Sequence, residues 1–267
     1  AYRSQRESAS LPSAEEGAEE EGEEGSILVL QELASAVERR VTAPAGLRDF
    51  DWCPNERIVY AATAQGQRTL GVLTLADGRT TNLVQGFSRV WSPSCSPDGQ
   101  LVAFCGVRQP GEERQIFLLP MDGGSPRALT AAPGLASWPA WAPDGSRIAY
   151  RWAPSLQQLG ESELRTVPLA GGPPASLGRH RSLNRSGRRL HYTADGQAVL
   201  YLEAVGRDAR LWRQPVRGGE PEPLGKLPSP HTFDFDLAAD GTTLVYPRAE
   251  RKGDLFQMEL AAGADPR

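Results

Sequence analysis

All three histidines of the chain, His180, His191 and His231, fall in its second half, and Asp234 and Asp236 closely follow His231. Imidazoles and carboxylates grouped in this way are the material of a general acid–base pair or a metal site. Their spacing matches no metal-ligand motif. The serines lie in turns without the strand–turn–helix elbow of a nucleophile. Glycine pairs such as Gly171-Gly172 end strands instead of opening helices, so they read as turns and not as phosphate cradles. The histidines therefore read as structural or loop-exposed, no cofactor or metal is expected, and the chain is expected not to be an enzyme.

Arginine offers more. Arg179, Arg181, Arg185, Arg188 and Arg189 lie in the connection 178–189, and Arg207, Arg210, Arg248 and Arg251 follow in later loops. A planar guanidinium fork suits carboxylates and phosphates, which points to a protein, acidic peptide or other anionic ligand. Nucleic acid is not expected, because the basic loops lack interleaved aromatics and the chain carries a net charge of −4. That charge is uneven. Residues 1–25 hold eight glutamates against Arg3 and Arg6, so this segment is acidic while the remainder is mildly basic. Residues 1–25 read as a disordered acidic linker, tethered to an upstream domain, and 26–267 as one folded domain.

The three cysteines, Cys53, Cys95 and Cys105, form no CxxC or Cys/His pattern. Cys95 and Cys105 flank a turn at Asp98-Gly99, but the register sets Cys95 opposite about residue 102. All three read as plain buried residues.

What must position these side chains is a repeat. A hairpin recurs about every 46 residues, as DWCPNERIVYAA (51–62), SCSPDGQLVAFCG (94–106), AWAPDGSRIAYRW (140–152), HYTADGQAVLYLE (191–203) and DLAADGTTLVYPR (236–248). We number these units one to five. Each has a tight turn, Asp-Gly in four and Asn55-Glu56 in the first, and a strand ending in Tyr60, Phe104, Tyr150, Tyr201 or Tyr246. A third strand follows, then a short fourth, as at 82–84 and 128–130. Four short strands per unit without helical periodicity make one propeller blade. A single sheet cannot bury both faces, so blades must stack around an axis. Trp52, Trp138, Trp141, Trp152 and Trp212 read as inter-blade packing.

The segment 26–42 matches strands three and four of the unit, which gives six third strands for five hairpins. The fold expected is all-β: a β-propeller of four-stranded antiparallel blades, six-bladed with an incomplete terminal blade, the alternative being a closed five-bladed ring. The hairpin turns are short and alike, whereas the opposite face carries the variable loops and is the natural binding face. Asp49, Trp138, His231 and Asp234 mark the channel mouth there. With Ser92 and Arg189 at the remaining inner positions, the set is too mixed for a metal cage.

The SPDG and APDG hairpins (Ser96 to Phe104, Ala142 to Tyr150) and the DGG and leucine–threonine close of Met121 to Thr130 resemble the WD-like repeats of TolB-type propellers. The resemblance covers residues 26–260 and is specific for fold. It implies one of several roles: periplasmic translocation component, sensor domain of a kinase or transcription factor, or gating domain of a prolyl-oligopeptidase-like hydrolase. The expected function is a non-catalytic binding propeller, either a sensor or scaffold module of a larger bacterial protein or a TolB-like extracytoplasmic component. The alternative is a lyase or hydrolase with chemistry in the central channel. A monomer in the periplasm or another extracytoplasmic compartment is expected, with a cytoplasmic location as the alternative. No stretch is apolar and long enough to span a membrane as a helix.

Overall fold

The computed structural model describes residues 2–5, 26–32, 38–64, 66–84, 86–131, 133–158, 162–180, 189–205, 208–227, 235–237, 243–248 and 254–259. Among the described residues every regular element is a β-strand, and no helix is long and apolar enough to cross a membrane.

Units one to four each form a four-stranded antiparallel sheet in sequence order. They are β4 (Leu47–Cys53), β5 (Arg57–Ala64), β6 (Gln67–Thr74) and β7 (Thr80–Asn82); β8 (Arg89–Cys95), β9 (Leu101–Val107), β10 (Gln115–Pro120) and β11 (Arg127–Ala128); β12 (Leu135–Trp141), β13 (Arg147–Ala153), β14 (Ser162–Pro168) and β15 (Ala175–His180); and β16 (His191–Tyr192), β17 (Ala198–Val205), β18 (Asp208–Pro215) and β19 (Glu222–Leu227). Unit five contributes three strands, β20 (Asp236–Leu237), β21 (Thr243–Arg248) and β22 (Asp254–Glu259). The N-terminal sheet runs β1 (Tyr2–Gln5), β2 (Ser26–Glu32), β3 (Glu38–Ala43). The expected linker thus includes a strand at Tyr2–Gln5, and residues 6–25 lie outside the described residues. The protein is an all-β propeller whose complete blades, among the described residues, are the four of units one to four.

Burial explains the stacking. Tyr60, Phe104, Tyr150 and Tyr201 are all 3% exposed or less. Each large side chain so buried is worth about 1.5–3 kcal/mol relative to leaving it in water. The apolar clusters form between sheets and not within them. Val41 and Ala43 pack on Ile58 and Tyr60, Cys53 and Val72 on Phe104, Ile116 on Trp141 and Tyr150, and Leu164 on Tyr192 and Tyr201. Phe235, just before β20, packs on Leu200 and Leu211 of unit four. The sheets therefore follow one another in chain order around an axis. The Trp141 indole adds a polar link, donating to the Ser94 carbonyl of the preceding blade at 3.0 Å.

The turns obey their chemistry. Asn55 and Glu56 hold φ of 62° and 51° in the three-residue turn between the paired Cys53 and Arg57, left-handed conformations typical of tight hairpin turns, and Gly99, Gly145 and Gly196 hold 67–69°. In unit two Asp98 accepts from the Ser96 hydroxyl at 2.6 Å and the Gln100 amide at 3.0 Å, and Asp195 repeats this with Thr193 and Gln197. Asp144 accepts instead from both the amide and hydroxyl of Ser146. The turn at 240–241 lies outside the described residues.

These hydrogen bonds hold all three carboxyls below the usual aspartate range: the Ser96 hydroxyl first for Asp98, the Ser146 amide for Asp144 and the Thr193 hydroxyl for Asp195. A depressed folded-state pKa contributes stability above the unfolded value and loses it as pH falls through the folded one. The D98N/D144N/D195N variant is accordingly expected to lose less stability than the native chain between neutral and acid pH. Urea unfolding at a series of pH values reads this, and parallel curves for the two proteins would refute it.

Candidate functional site at the channel mouth

The innermost strands do not run straight. On β8, Trp91 pairs with Cys105 and then Ser94 with Ala103, so Ser92 and Pro93 together oppose Phe104. On β12, Ser137 pairs with Arg151 and then Ala140 with Ala149, so Trp138 and Pro139 oppose Tyr150. These are β-bulges, which re-aim side chains and interrupt pairing where proline has no N–H to give. Ser92 and Trp138 sit at φ of 48° and 56°, a region that costs a non-glycine residue on the order of 1 kcal/mol or more. Two adjacent blades thus hold the same strained geometry at the same place.

Around these bulges the mouth is built from cations on rings. The Arg151 guanidinium lies 4.8 Å from the centre of the Trp138 ring, and its Nε donates to the Ser162 hydroxyl at 2.8 Å. Arg151 is 4% exposed, and burial, with the charge of Arg114 added, lowers its pKa to about 10, so it stays charged at neutral pH. Arg114 stands over Trp91 at 6.0 Å, and Arg165 over Trp152 at 3.5 Å. Such pairs contribute about 0.5–2 kcal/mol each. Asp49 accepts from the Ser92 amide at 3.3 Å.

Further along the axis the two sides are joined. Arg189 precedes β16, yet its guanidinium reaches β4, where NH1 meets Asp51 Oδ1 at 3.3 Å and NH2 donates to the Phe50 carbonyl. Asp51 Oδ2 accepts from the Cys95 amide at 2.9 Å. Burial raises the Asp51 pKa most, Asp236 adds repulsion, and Arg189, the Cys95 amide and His191 oppose the rise. His191 Nδ1 stands 3.7 Å from Asp236, and Nε2 lies 3.0 Å from the Phe235 carbonyl, where it must carry the proton. No group of three or more metal-type side chains converges among the described residues.

Among the basic loop residues, Arg189 therefore belongs to the channel. Arg179 is exposed and paired with Glu163 at 3.5 Å, and Arg210 lies 5.5 Å over the Trp212 ring. Arg248 lies in β21, and its side chain is outside the description. Arg181, Arg185, Arg188, Arg207, Arg251, His231 and Asp234 lie outside the described residues. Of the channel-mouth set, Asp49 lies on β4 and Trp138 on β12. Trp138 is a stacking partner of Arg151, in place of a pure packing residue.

Asp51, Arg151 and a disulfide escaped the sequence reading. Cys53 and Cys95 are bonded, with Cα atoms 5.5 Å apart, while Cys105 is free and buried. The register indeed sets Cys95 opposite Val102, which rules out a bond to Cys105 within the blade. The partner comes from the neighbouring blade, because both cysteines end inner strands and adjacent inner strands lie side by side. The signal was their matching place just before each turn. Burial pushes the Cys105 thiol above the ordinary cysteine range.

No family model matches the chain. It is similar to the peptidase YuxL of Bacillus subtilis, 28% identical over 200 residues, covering 70% of this chain and 29% of that protein. It also resembles Tricorn protease homolog 1 of Streptomyces coelicolor, 32% identical over 127 residues and 46% of the chain, though 11% of that protein. Dipeptidyl-peptidase 5 of Porphyromonas endodontalis is 23% identical over 260 residues, 77% of the chain and 37% of that protein. The chain thus spans well under half the length of these relatives. Among solved structures, TolB from Agrobacterium tumefaciens aligns with TM-score 0.69 at 20% identity, over 92% of this chain and 82% of that one. TolB from Acinetobacter baumannii gives 0.63 at 16%, over 92% and 65%. An oligogalacturonate lyase in complex with manganese gives 0.63 at 13%, over 88% and 68%.

The expectation of a non-enzyme is corrected by these peptidase relatives. Its physical weakness is that repeats report the scaffold, and a scaffold shared with hydrolases says nothing against catalysis. Four-stranded blades stacked around an axis, SPDG-type turns and the likeness to two TolB structures agree: the chain has the TolB-like β-propeller fold.

Proposed function

We propose that the chain serves in peptide hydrolysis, taking peptide segments at the long-loop mouth of its channel. The observation that carries this reading is that the curated relatives named above are all peptidases, matched here through the propeller repeat. The mouth supplies fitting chemistry, since the half-buried Arg114 offers a cation and the half-buried Trp91 and Trp138 offer ring faces to acidic or aromatic peptide residues. Arg179, Arg181, Arg185, Arg188, Arg189, Arg207, Arg210, Arg248 and Arg251 would extend the anion-attracting surface, and His231 and Asp234 would stand with Asp49 at the rim.

The same reading takes the ring as six-bladed: the N-terminal sheet supplies strands two to four of a blade, and unit five supplies strands one to three of another. The acidic run of residues 6–25 separates β1 from β2 in the sequence. The location is extracytoplasmic, supported by the Cys53–Cys95 disulfide, since such bonds persist in oxidising compartments, and by the likeness to TolB.

A fluorescein-labelled acidic decapeptide tests the mouth by anisotropy. The W138G variant, which removes the ring and relieves the positive φ, is expected to weaken binding by about tenfold, the loss of one good stacking contact, with melting temperature unchanged or raised. No binding to the native protein, or equal binding to W138G, would overturn the reading.

A further inference from the structure

The turn face, opposite the long loops, holds a second site. Between units three and four a cleft of ≈ 490 Å³ is lined by Pro143, Asp144 and Arg147 on one side and Asp195, Gln197 and Arg217 on the other. The two preceding junctions are bridged by side chains. Between units one and two, Arg57 opens β5 as Arg147 opens β13, and its NH2 donates to the Gly99 carbonyl of the next turn at 3.0 Å. Between units two and three, Leu101 packs with Trp141 and Leu169, and Arg127 donates to the Leu169 carbonyl at 2.7 Å. At the third junction Arg147 makes no such bond to Gly196. Arg147 and Arg217 are both exposed, and Arg147 acts on the neighbouring Asp144 carboxyl through its charge, without a hydrogen bond to it among the described residues. Arg217 also stands where units two and three have Asp122 and Ala170 before their glycine pairs.

Each side of the cleft carries one carboxylate and one guanidinium, Asp144 with Arg147 and Asp195 with Arg217. Asp144 and Asp195 each use Oδ1 for their own turns, and among the described residues no hydrogen bond to either Oδ2 is seen. Nearby, the Tyr192 hydroxyl is buried without a hydrogen-bond partner, within reach of the charges of Arg147 and Asp144. Two guanidinium groups beside two carboxylates disfavour a simple anion or cation, which each gain from one pair and lose to the other. A ligand bearing both charges gains from both.

We propose that this cleft binds a small zwitterion, an α-amino acid or short unblocked peptide, with its carboxylate on Arg147 and Arg217 and its ammonium on Oδ2 of Asp144 and Asp195. The site is independent of the channel mouth and of the peptidase reading, because none of its residues lies on the long-loop face.

Titration calorimetry with the dipeptide Ala-Ala tests it, beside N-acetyl-Ala-Ala, Ala-Ala amide and inorganic phosphate. The unblocked dipeptide is expected to bind, and capping either end is expected to weaken binding at least about tenfold, the loss of one charged hydrogen-bond pair. R147A and R217A, both at exposed positions, are each expected to lose a similar factor with unchanged melting temperature. Absence of heat from Ala-Ala at millimolar concentration, equal binding of a capped peptide, phosphate binding as well as the dipeptide, or indifference to both arginine substitutions would each overturn the proposal. Loss of decapeptide binding in W138G with dipeptide binding retained would separate the two sites.

Discussion

Reducing the Cys53–Cys95 disulfide is expected to cost the propeller about 4 kcal/mol. The bond closes a stretch of 42 residues, and in the chain-entropy account a loop of that length removes about 4 kcal/mol of denatured-state freedom. Its position adds to this. It ties the ends of the inner strands β4 and β8, the edge at which two blades meet with little but side chains between them. Cys53 and Cys95 also belong to the apolar cluster with Val59, Phe104 and Phe117, so an alanine at either site would leave a void as well. For a domain of this size 4 kcal/mol corresponds to a fall of roughly 10 °C in melting temperature. Thermal unfolding with and without reductant measures it, and the C53S/C95S variant supplies the control. Reductant should lower the native midpoint to about that of the variant and leave the variant unmoved. A native midpoint indifferent to reductant would show that the bond does not carry the blade junction.

The blades were legible because their determinants are local. A turn at Asp98-Gly99 needs a residue tolerant of positive φ and a side chain that closes it, and both are written within four positions. The rings Tyr60, Phe104, Tyr150 and Tyr201 are likewise fixed by strand alternation within one unit. What the repeat cannot express is which residue of one blade meets which residue of another. Cys53 finds Cys95 over 42 positions, and Arg189 finds Asp51 over 138. Trp138 shows the same limit on a smaller scale. Its bulge and its partner Arg151 depend on how β12 pairs with β13, which the repeat does not express. Catalysis fares worst, since the scaffold motif is common to relatives with different activities.

Arg189→Met should destabilise the protein by about 3 kcal/mol at neutral pH, and the deficit should shrink as the solution is acidified. The figure sits at the low end for breaking a buried ion pair because Asp51 and Arg189 retain 22% and 24% side-chain exposure. The sign follows from Asp51. Its folded pKa already stands above the ordinary aspartate value, chiefly through burial, so the folded chain holds a proton more tightly than the unfolded one. That contribution to stability is present below the unfolded value and is lost as pH rises through the folded one. Removing Arg189 takes away the strongest influence that holds the pKa down, so the window widens and the neutral-pH cost grows. Protonating Asp51 in acid then relieves the charge that the variant leaves unpaired. The double variant D51N/R189M removes the charge outright while the asparagine oxygen can still accept from the Cys95 amide, and it should recover most of the loss at every pH. Urea unfolding of the three proteins across the acid range decides the matter. A deficit in R189M independent of pH, and unrepaired by D51N, would mean that the guanidinium supports the channel through packing and its bond to the Phe50 carbonyl. The cross-axis charge would then have no part in holding units one and four together.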